Sequence, residues 1–366
     1  MANLDVVAVY DTLHAMPELG MQEHKTAAYL AEELEKLGYA VTRGVGETGV
    51  VGIQRGAEPG PVMLVRADMD ALPFKKDGKD ICVHACGHDA HSAMVLAAAA
   101  KLAGKVRRGT LKILFQPGEE TLRGALAVIK AGAIDDVDIA LGLHVRPIQD
   151  AAMGQLSPAV KHASSYVMDV VLRGQAAHGA RPHLGVNAID AAASVVQAVN
   201  AIHIDPVVPF SVKVTNLAAG TGASNIIPDK ATLVLDMRAQ TNAAMDELME
   251  KTKTAVTRGA EAVGATAEIS VRGGVPAADL DGALTEEVAE VIAEVAGKEN
   301  LIPALVNPGG EDFHYFVKHK PSLKAAYFGV GCDLRPGLHD ANMSFNKAAL
   351  QNGVDVLEKM VLRKLG

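Results

Sequence analysis

Eight consecutive residues, His84-Ala-Cys86-Gly-His88-Asp89-Ala-His91, hold three imidazoles, one thiol and one carboxylate. Neutral imidazole and thiolate are the donors that borderline-soft divalent ions such as zinc prefer, so metal coordination accounts for such a cluster. Three rival readings stand beside it: a core turn with incidental histidines, a small structural metal knot, and a nucleophilic Cys86 paired with His88 or His91. Further donors along the chain bear on the choice. Thr110-Leu-Lys-Ile-Leu-Phe115 alternates as a strand does and runs into Gln116-Pro117-Gly118-Glu119-Glu120. Neighbouring side chains on an extended or turning backbone diverge, so one carboxylate of the pair can bind metal while the other faces an attacking water. The apolar stretch Ile139-Ala-Leu-Gly-Leu143 ends in His144, and Gly337-Leu338-His339 adds an imidazole near the C-terminus. Singly, the glutamates read equally as a solvated turn and the histidines as core or surface residues. Together, at strand ends, they point to a metal-dependent hydrolase.

Such donors need a scaffold that presents strand ends side by side. Apolar runs at 62–65, 111–115 and 139–143, separated by helical stretches at Ser92–Leu102 and Leu122–Lys130, predict a largely parallel sheet covered by helices. Donors at the strand exits follow the rule that sites in open α/β sheets lie beyond the carboxyl ends of strands. Upstream, Leu30, Leu34 and Leu37 mark the first helix, with Gly38 as its stop. After Pro158 the pattern becomes strand Tyr166–Leu172, helix Asn187–Ile202, strands Ser211–Leu217 and Ala231–Arg238, helix Ala243–Ala262 and strand Ala267–Val271. This βαββαβ order is the ferredoxin-like arrangement and reads as an inserted α+β lid, with Gly273-Gly274-Val-Pro276 as the return hinge. The expected organisation is a catalytic domain in two parts, 1–162 and 274–366, interrupted by a lid at 163–273.

An ordered set of motifs resembles the aminoacylase/carboxypeptidase metallopeptidases, and within them the amidohydrolase branch of indole-3-acetyl-amino acid hydrolases, hippurate hydrolases and N-acyl-amino acid deacylases. The matching stretches are His14-Ala-Met-Pro-Glu18-Leu-Gly20, Arg66-Ala-Asp-Met-Asp-Ala-Leu-Pro73, His84–His91, Gln116–Glu120, Leu143-His144-Val, His178-Gly-Ala-Arg-Pro-His183, Ser224-Asn-Ile-Ile-Pro-Asp229 and Gly309-Gly-Glu-Asp-Phe313. The resemblance implies a zinc-exopeptidase-like catalytic domain with a lid, and a binuclear centre of two divalent ions (zinc, manganese, cobalt or nickel) held by Cys86, His88, Glu120, His144 and His339. It implies amide hydrolysis by a metal-bound hydroxide, with Glu119 as general base. The substrate it implies is an N-acyl or aryl-acyl amino acid; the alternatives are a dipeptidase or carboxypeptidase of the same mechanism and a catalytically silent relative that only binds its ligand, against which the presence of Glu119 and all five expected ligands argues. His178 would steady the oxyanion or the substrate carboxylate, and Asn225 and Arg238 would bind that carboxylate. Gly309 and Gly310 would let substrate approach the backbone, and Asp68, Asp70 and Glu311 would act from behind the ligands, an aspartate orienting a ligand imidazole. In the wider family a metal-binding histidine stands where this chain has Arg66. His84, Asp89 and His91 read as packing residues of the helix that starts there, and His14 and Glu18 as structural. Pairing through the lid is also implied, with a monomer as the alternative.

Composition agrees with this reading. A chain of 366 residues exceeds one ordinary core and fits two domains. With 35 basic and 43 acidic residues the net charge is −8, which argues against nucleic acid or an anionic membrane as a main partner. Three cysteines, Cys82, Cys86 and Cys332, do not make a secreted disulfide framework, and Met1-Ala-Asn-Leu-Asp lacks the marks of a signal peptide, so a cytoplasmic setting is expected. The Ala-rich run Ala93 to Ala103 is too short to span a membrane. An aromatic content of 4%, with no Trp, leaves few rings to stack an aryl group and favours aliphatic acyl chains.

Overall fold

The computed structural model describes residues 4–366, and the part of the N-terminal reading that rests on residues 1–3 lies outside the described residues. The chain divides into two compact units: Met1–Lys161, Asp279–Val306 and Asp312–Gly366 form the first, and His162–Ala278 with Asn307–Glu311 the second. No helix among the described residues is long and apolar enough to cross a membrane.

In the first unit, α1 (Val6–His14) and α2 (His24–Lys36) precede β1 (Ala40–Val45), β2 (Gly49–Arg55) and β3 (Glu58–Asp68). Then come α3 (His88–Leu102), β4 (Arg108–Gln116), α4 (Gly124–Lys130), β5 (Ile139–Pro147) and β6 (Leu156–Ser157). The sequence pattern begins its helices at Leu30. The structure has α1 before that, capped by the Asp5 carboxylate accepting from the Val7 N–H. The helix marked by Leu30 is α2, and its first-turn amides donate to Glu18, whose carboxylate accepts from the Lys25 and Thr26 N–H groups at 2.9 Å each.

The second unit supplies β7 (Ser164–Arg173), α5 (Ala188–Asn200), β8 (Phe210–Ala219), β9 (Lys230–Ala239), α6 (Asn242–Glu261) and β10 (Thr266–Val275). It forms a four-stranded sheet of order β8-β9-β7-β10, antiparallel throughout. Every second residue of β9, from Ala231 to Ala239, is buried in a core shared with α5 and α6. This is the ferredoxin-like arrangement. Gly273-Gly274, expected at the return from the lid, lie within β10, where the register against β7 shifts, and the chain leaves this unit after Ala278. A glycine pair signals a break in a strand pattern, and here the break is a bulge.

Back in the first unit, α7 (Gly282–Ala296), β11 (Lys324–Leu334) and α8 (Leu350–Leu365) complete a seven-stranded sheet of order β1-β2-β4-β3-β5-β11-β6. Its four central strands are parallel and its margins antiparallel. Helices cover both faces, which is why the central strands are apolar on both sides. Met63, Val65, Ile113, Phe115, Leu141 and Phe328 enter the core with α1, α2, α3, α7 and α8, while Leu64, Leu114, Ala140 and Tyr327 enter the core with α4 and Phe316. The Ala-rich α3 is buried on nearly every side, because small side chains let neighbouring elements approach all round it. The parallel strands β3, β4 and β5 therefore end together, and the donor residues sit at or just beyond those ends.

Candidate active site

Asp68 is the last residue of β3, Glu119 and Glu120 follow β4, and His144 lies near the end of β5. His88 opens α3. Gly87 before it has φ 88°, and a Cβ there would lie 2.4 Å from Val145 Cγ2, so only glycine lets Cys86 and His88 face the same space beside β5. Gly118 plays the same part before the glutamates: its φ is 56° and a Cβ would meet Met21 Sδ at 2.4 Å. His339 adopts φ 64°, unusual for a residue with a Cβ, and its N–H donates to the Ala85 carbonyl at 2.6 Å.

The five expected ligands converge. Cys86 Sγ is 3.5 Å from His144 Nε2. His88 Nε2 is 4.0 Å from Glu120 Oε1 and 4.0 Å from Glu119 Oε2. His339 Nε2 is 3.2 Å from Glu120 Oε1, within ion-pair distance but not aligned as a hydrogen bond. Four overlapping donor groups contain one or more of them: Cys86, His88 and His144; Cys86, Glu120 and His339; His88, Glu119 and Glu120; and Asp68, His88 and His91. Among the described residues, the buried His88 Nε2 and Glu120 Oε1 have no hydrogen-bond partner. Buried polar atoms seldom stay so without a ligand. Two donors around one zinc-like ion stand about 2.9 Å apart at a right angle, about 3.4–3.6 Å at a tetrahedral angle and up to about 4.2 Å at wider angles, so separations of 3.2, 3.5 and 4.0 Å fit ions between them.

The imidazoles are turned by their outer nitrogens. His144 Nδ1–H donates to the Val145 carbonyl at 2.6 Å, leaving Nε2 toward Cys86. His88 Nδ1–H donates to Asp70 Oδ1 at 3.0 Å. Of the two aspartates read as candidates for orienting a ligand imidazole, Asp70 is therefore the one that touches His88. Asp68 instead accepts from His91 Nδ1–H at 2.7 Å, and His91 Nε2 accepts from the Val145 N–H at 3.0 Å, so both nitrogens of His91 are engaged. Asp89 is bonded to His14 at 2.6 Å, and His84 is buried beside them.

Charge and burial set the protonation of this cluster. Burial pushes the Cys86 thiol up, only partly offset by His88. Burial also lowers His144, helped by His91 and Arg146, and keeps it neutral. For His88 burial opposes protonation, but the charge of Asp68 and the hydrogen bond to Asp70 outweigh it and raise the imidazole well above its usual range. For Glu120 burial favours the neutral acid, yet His339 and His88 hold the carboxyl below its usual range. His339 is raised in turn by Glu120.

Three further contributors have contacts that no sequence spacing records. Arg66, only 1% exposed, donates to Asp68 at 2.7 Å, Asp312 at 2.8 Å and Gln116 at 3.0 Å, forming a buried ionic network behind the site. Glu23 is buried and accepts from the Gly118 N–H at 2.7 Å. Its carboxyl is raised by burial. His314 is buried near Arg66, and burial first and that positive charge second lower its pKa to about 3.

The remaining candidates lie in the second unit. His178 pairs with Ile226 in a two-residue ladder, and the Gly179 N–H donates to the Asn225 carbonyl at 2.8 Å, so His178 and Asn225 stand on adjacent backbones. Arg238, at the end of β9, is bonded to Asp236 at 3.0 Å and to the Pro308 carbonyl at 3.0 Å. That carbonyl directly precedes Gly309, Gly310 and Glu311, which belong to this unit. A Cβ on Gly310 would lie 2.4 Å from Val275 Cγ2.

Residues 64–363 match the model of peptidase family M20/M25/M40. The chain belongs to this family. It is thus a hydrolase of amide bonds. It is 32% identical over 343 residues to thermostable carboxypeptidase 1 of Saccharolobus solfataricus, covering 89% of this chain and 85% of that one. It is 31% identical over 369 residues to hippurate hydrolase of Campylobacter jejuni, covering 96% and 94%. Among solved structures it resembles the Bacillus subtilis YXEP protein, a dinuclear metal-binding peptidase of the M20 family, with TM-score 0.84, 26% identity and coverage of 98% and 97%.

Proposed function

We propose that this M20 hydrolase is a two-metal amidohydrolase that releases the amino acid from N-acyl or aryl-acyl L-amino acids. The observation that carries the reading is the pair of unsatisfied buried donors, His88 Nε2 and Glu120 Oε1, 4.0 Å apart within a set completed by Cys86, His144 and His339. Thiolate, imidazole and carboxylate together suit zinc, manganese, cobalt or nickel. When bound, such ions lower the pKa of water and polarise a carbonyl. Glu119, whose Oε2 lies as far from His88 Nε2 as Glu120 Oε1 does, 4.0 Å, is assigned as the base by the family resemblance: it takes the proton of the attacking water and passes it to the leaving amine. His178 steadies the charge that develops on the carbonyl oxygen. Asn225 and the guanidinium of Arg238 receive the substrate carboxylate, for which Arg238 exchanges its present partners Asp236 and the Pro308 carbonyl. Gly309 and Gly310 admit the substrate close to the backbone. Pairing of two chains through the second unit belongs to the same proposal, and sedimentation velocity tests it.

The experiment is a panel of N-acetyl, hippuryl and indole-acetyl amino acids offered to protein reconstituted with each metal, with released amino acid detected by mass spectrometry. Release from at least one member supports the reading; none from any, with metal bound, refutes it. The similarity to a carboxypeptidase favours a second reading, a dipeptidase or carboxypeptidase of the same mechanism. Dipeptides added to the panel separate the two.

A further inference from the structure

We propose that Asp70 is a positioning residue whose single carboxylate sets both the ring of His88 and the backbone of Glu119-Glu120, so that metal binding and placement of the base depend on one group. The inference rests on the two-metal reading above and deepens it. Asp70 is 1% exposed. Its Oδ1 accepts from His88 Nδ1–H at 3.0 Å and from the Glu119 N–H at 3.1 Å, and its Oδ2 accepts from the Glu120 N–H at 3.0 Å. Three converging N–H donors require a group that only accepts, which an ionised carboxylate is and an amide is not. The first bond fixes the tautomer and angle of His88, aiming Nε2 at the glutamates. The other two fix the peptides from which those glutamates project.

Asp70 is anchored independently of what it positions. The next residue, Ala71, donates its N–H to the Glu18 carbonyl at 2.8 Å and bridges to Leu19. Gly20 then passes so close that a Cβ on it would lie 3.0 Å from Asp70 Oδ2 and 3.1 Å from Gly118 Cα. The 18–20 segment therefore seats against both Asp70 and the loop of the glutamates. Glu23 holds the preceding amide, that of Gly118. The loop that carries the base is thus suspended by its amides from two carboxylates, and one of these also holds a ligand.

Asp70→Asn offers one acceptor oxygen and one N–H₂, so at least one of the three donors must face another donor. Metal affinity, measured by competition with a chromophoric chelator, should fall by about 10- to 100-fold, the usual cost of losing a partner behind a ligand. Turnover at saturating metal should fall by a similar factor while KM changes less than about threefold, because the base and not the substrate is displaced. In the Glu119→Gln background the turnover cost of Asp70→Asn should nearly vanish while the loss of metal affinity persists. Multiplying turnover losses, or unchanged metal affinity, would overturn the proposal. Near wild-type turnover of Glu119→Gln alone would instead overturn the base assignment, leaving the metal-affinity arm to decide Asp70. If Asp70→Asn does not fold, wild-type protein labelled with ¹⁵N-histidine decides: Nδ1 of His88 should stay protonated and Nε2 shift on adding zinc. Zinc bound through Nδ1 would overturn the inference.

Discussion

Glu119→Gln separates the proposed base from the proposed ligands with a change of one atom. Glutamine keeps the length and shape of the side chain, but its amide cannot take a proton from water. The ligand donors Cys86, His88, Glu120, His144 and His339 stay, with Cys86 and His144 3.5 Å apart and His339 and Glu120 3.2 Å apart. Metal content should therefore match the wild type. Turnover should fall by about 10²- to 10⁴-fold, the usual worth of a general base, which corresponds to roughly 3–5 kcal/mol of barrier. Glu120→Gln should behave differently: it weakens a bond to the ion, and metal should be lost together with activity. The assay is metal content by plasma mass spectrometry and amino-acid release on the same preparations. If Glu119→Gln sheds metal while Glu120→Gln keeps it, the two roles are reversed. If Glu119→Gln stays near full activity, the base assignment is wrong.

Metal affinity should rise with pH, because the Cys86 thiol is pushed up by burial and the His88 imidazole is held protonated, and both must lose a proton to bind. Calorimetry in buffers of different ionisation enthalpy should show proton release on binding near neutral pH; none would refute this. His314 is neutral in the fold, with a pKa of about 3 against 6.5 in the open chain. Below pH 6.5 the unfolded chain binds a proton that the folded chain refuses, so stability should fall by about 1.4 kcal/mol per pH unit as pH drops toward 3. Urea midpoints from pH 7.5 to 4.5 should fall less steeply in His314→Gln, and parallel curves would refute the assignment. Arg66→Met leaves Asp68 and Asp312 buried without their cation and should cost about 3–5 kcal/mol by denaturant titration. A cost under about 1 kcal/mol would show that the network is not sustained by Arg66.

What was legible in the sequence follows a physical divide. The central strands and the inserted βαββαβ unit were readable because burial on both sheet faces, or on one, imposes its own periodicity on the residues. The donor-rich stretches stood out because imidazole, thiol and paired carboxylates rarely gather at strand ends without a ligand, whereas the choice of five ligands among them, and of Glu120 over Glu119, came from the resemblance to the family. The helix α1 was not legible, although Val6, Val9, Tyr10 and Leu13 form an i, i+3, i+4, i+7 buried stripe, because Val7 and Ala8 fill the gap and make Val6–Tyr10 one unbroken apolar run. Asp68 and Asp70 were indistinguishable because residues two apart on an extended chain share a face, and the chain bends after β3 so that only Asp70 reaches His88 Nδ1. Glu23 and Arg66 act through contacts with residues far along the chain, Gly118 and Asp312, and no local spacing records such a pairing. The assignment of 307–311 to the second unit is likewise a long-range matter, as is the seating of the Pro308 carbonyl on Arg238.

The most direct test of the central claim is a titration of metal-stripped protein with zinc or manganese, following bound metal and amide hydrolysis together. Without metal there should be no hydrolysis, two ions should bind per chain, and activity should return as they bind. Hydrolysis that survives thorough chelation, or saturation without any ion bound at Cys86, His88, Glu120, His144 and His339, would contradict it.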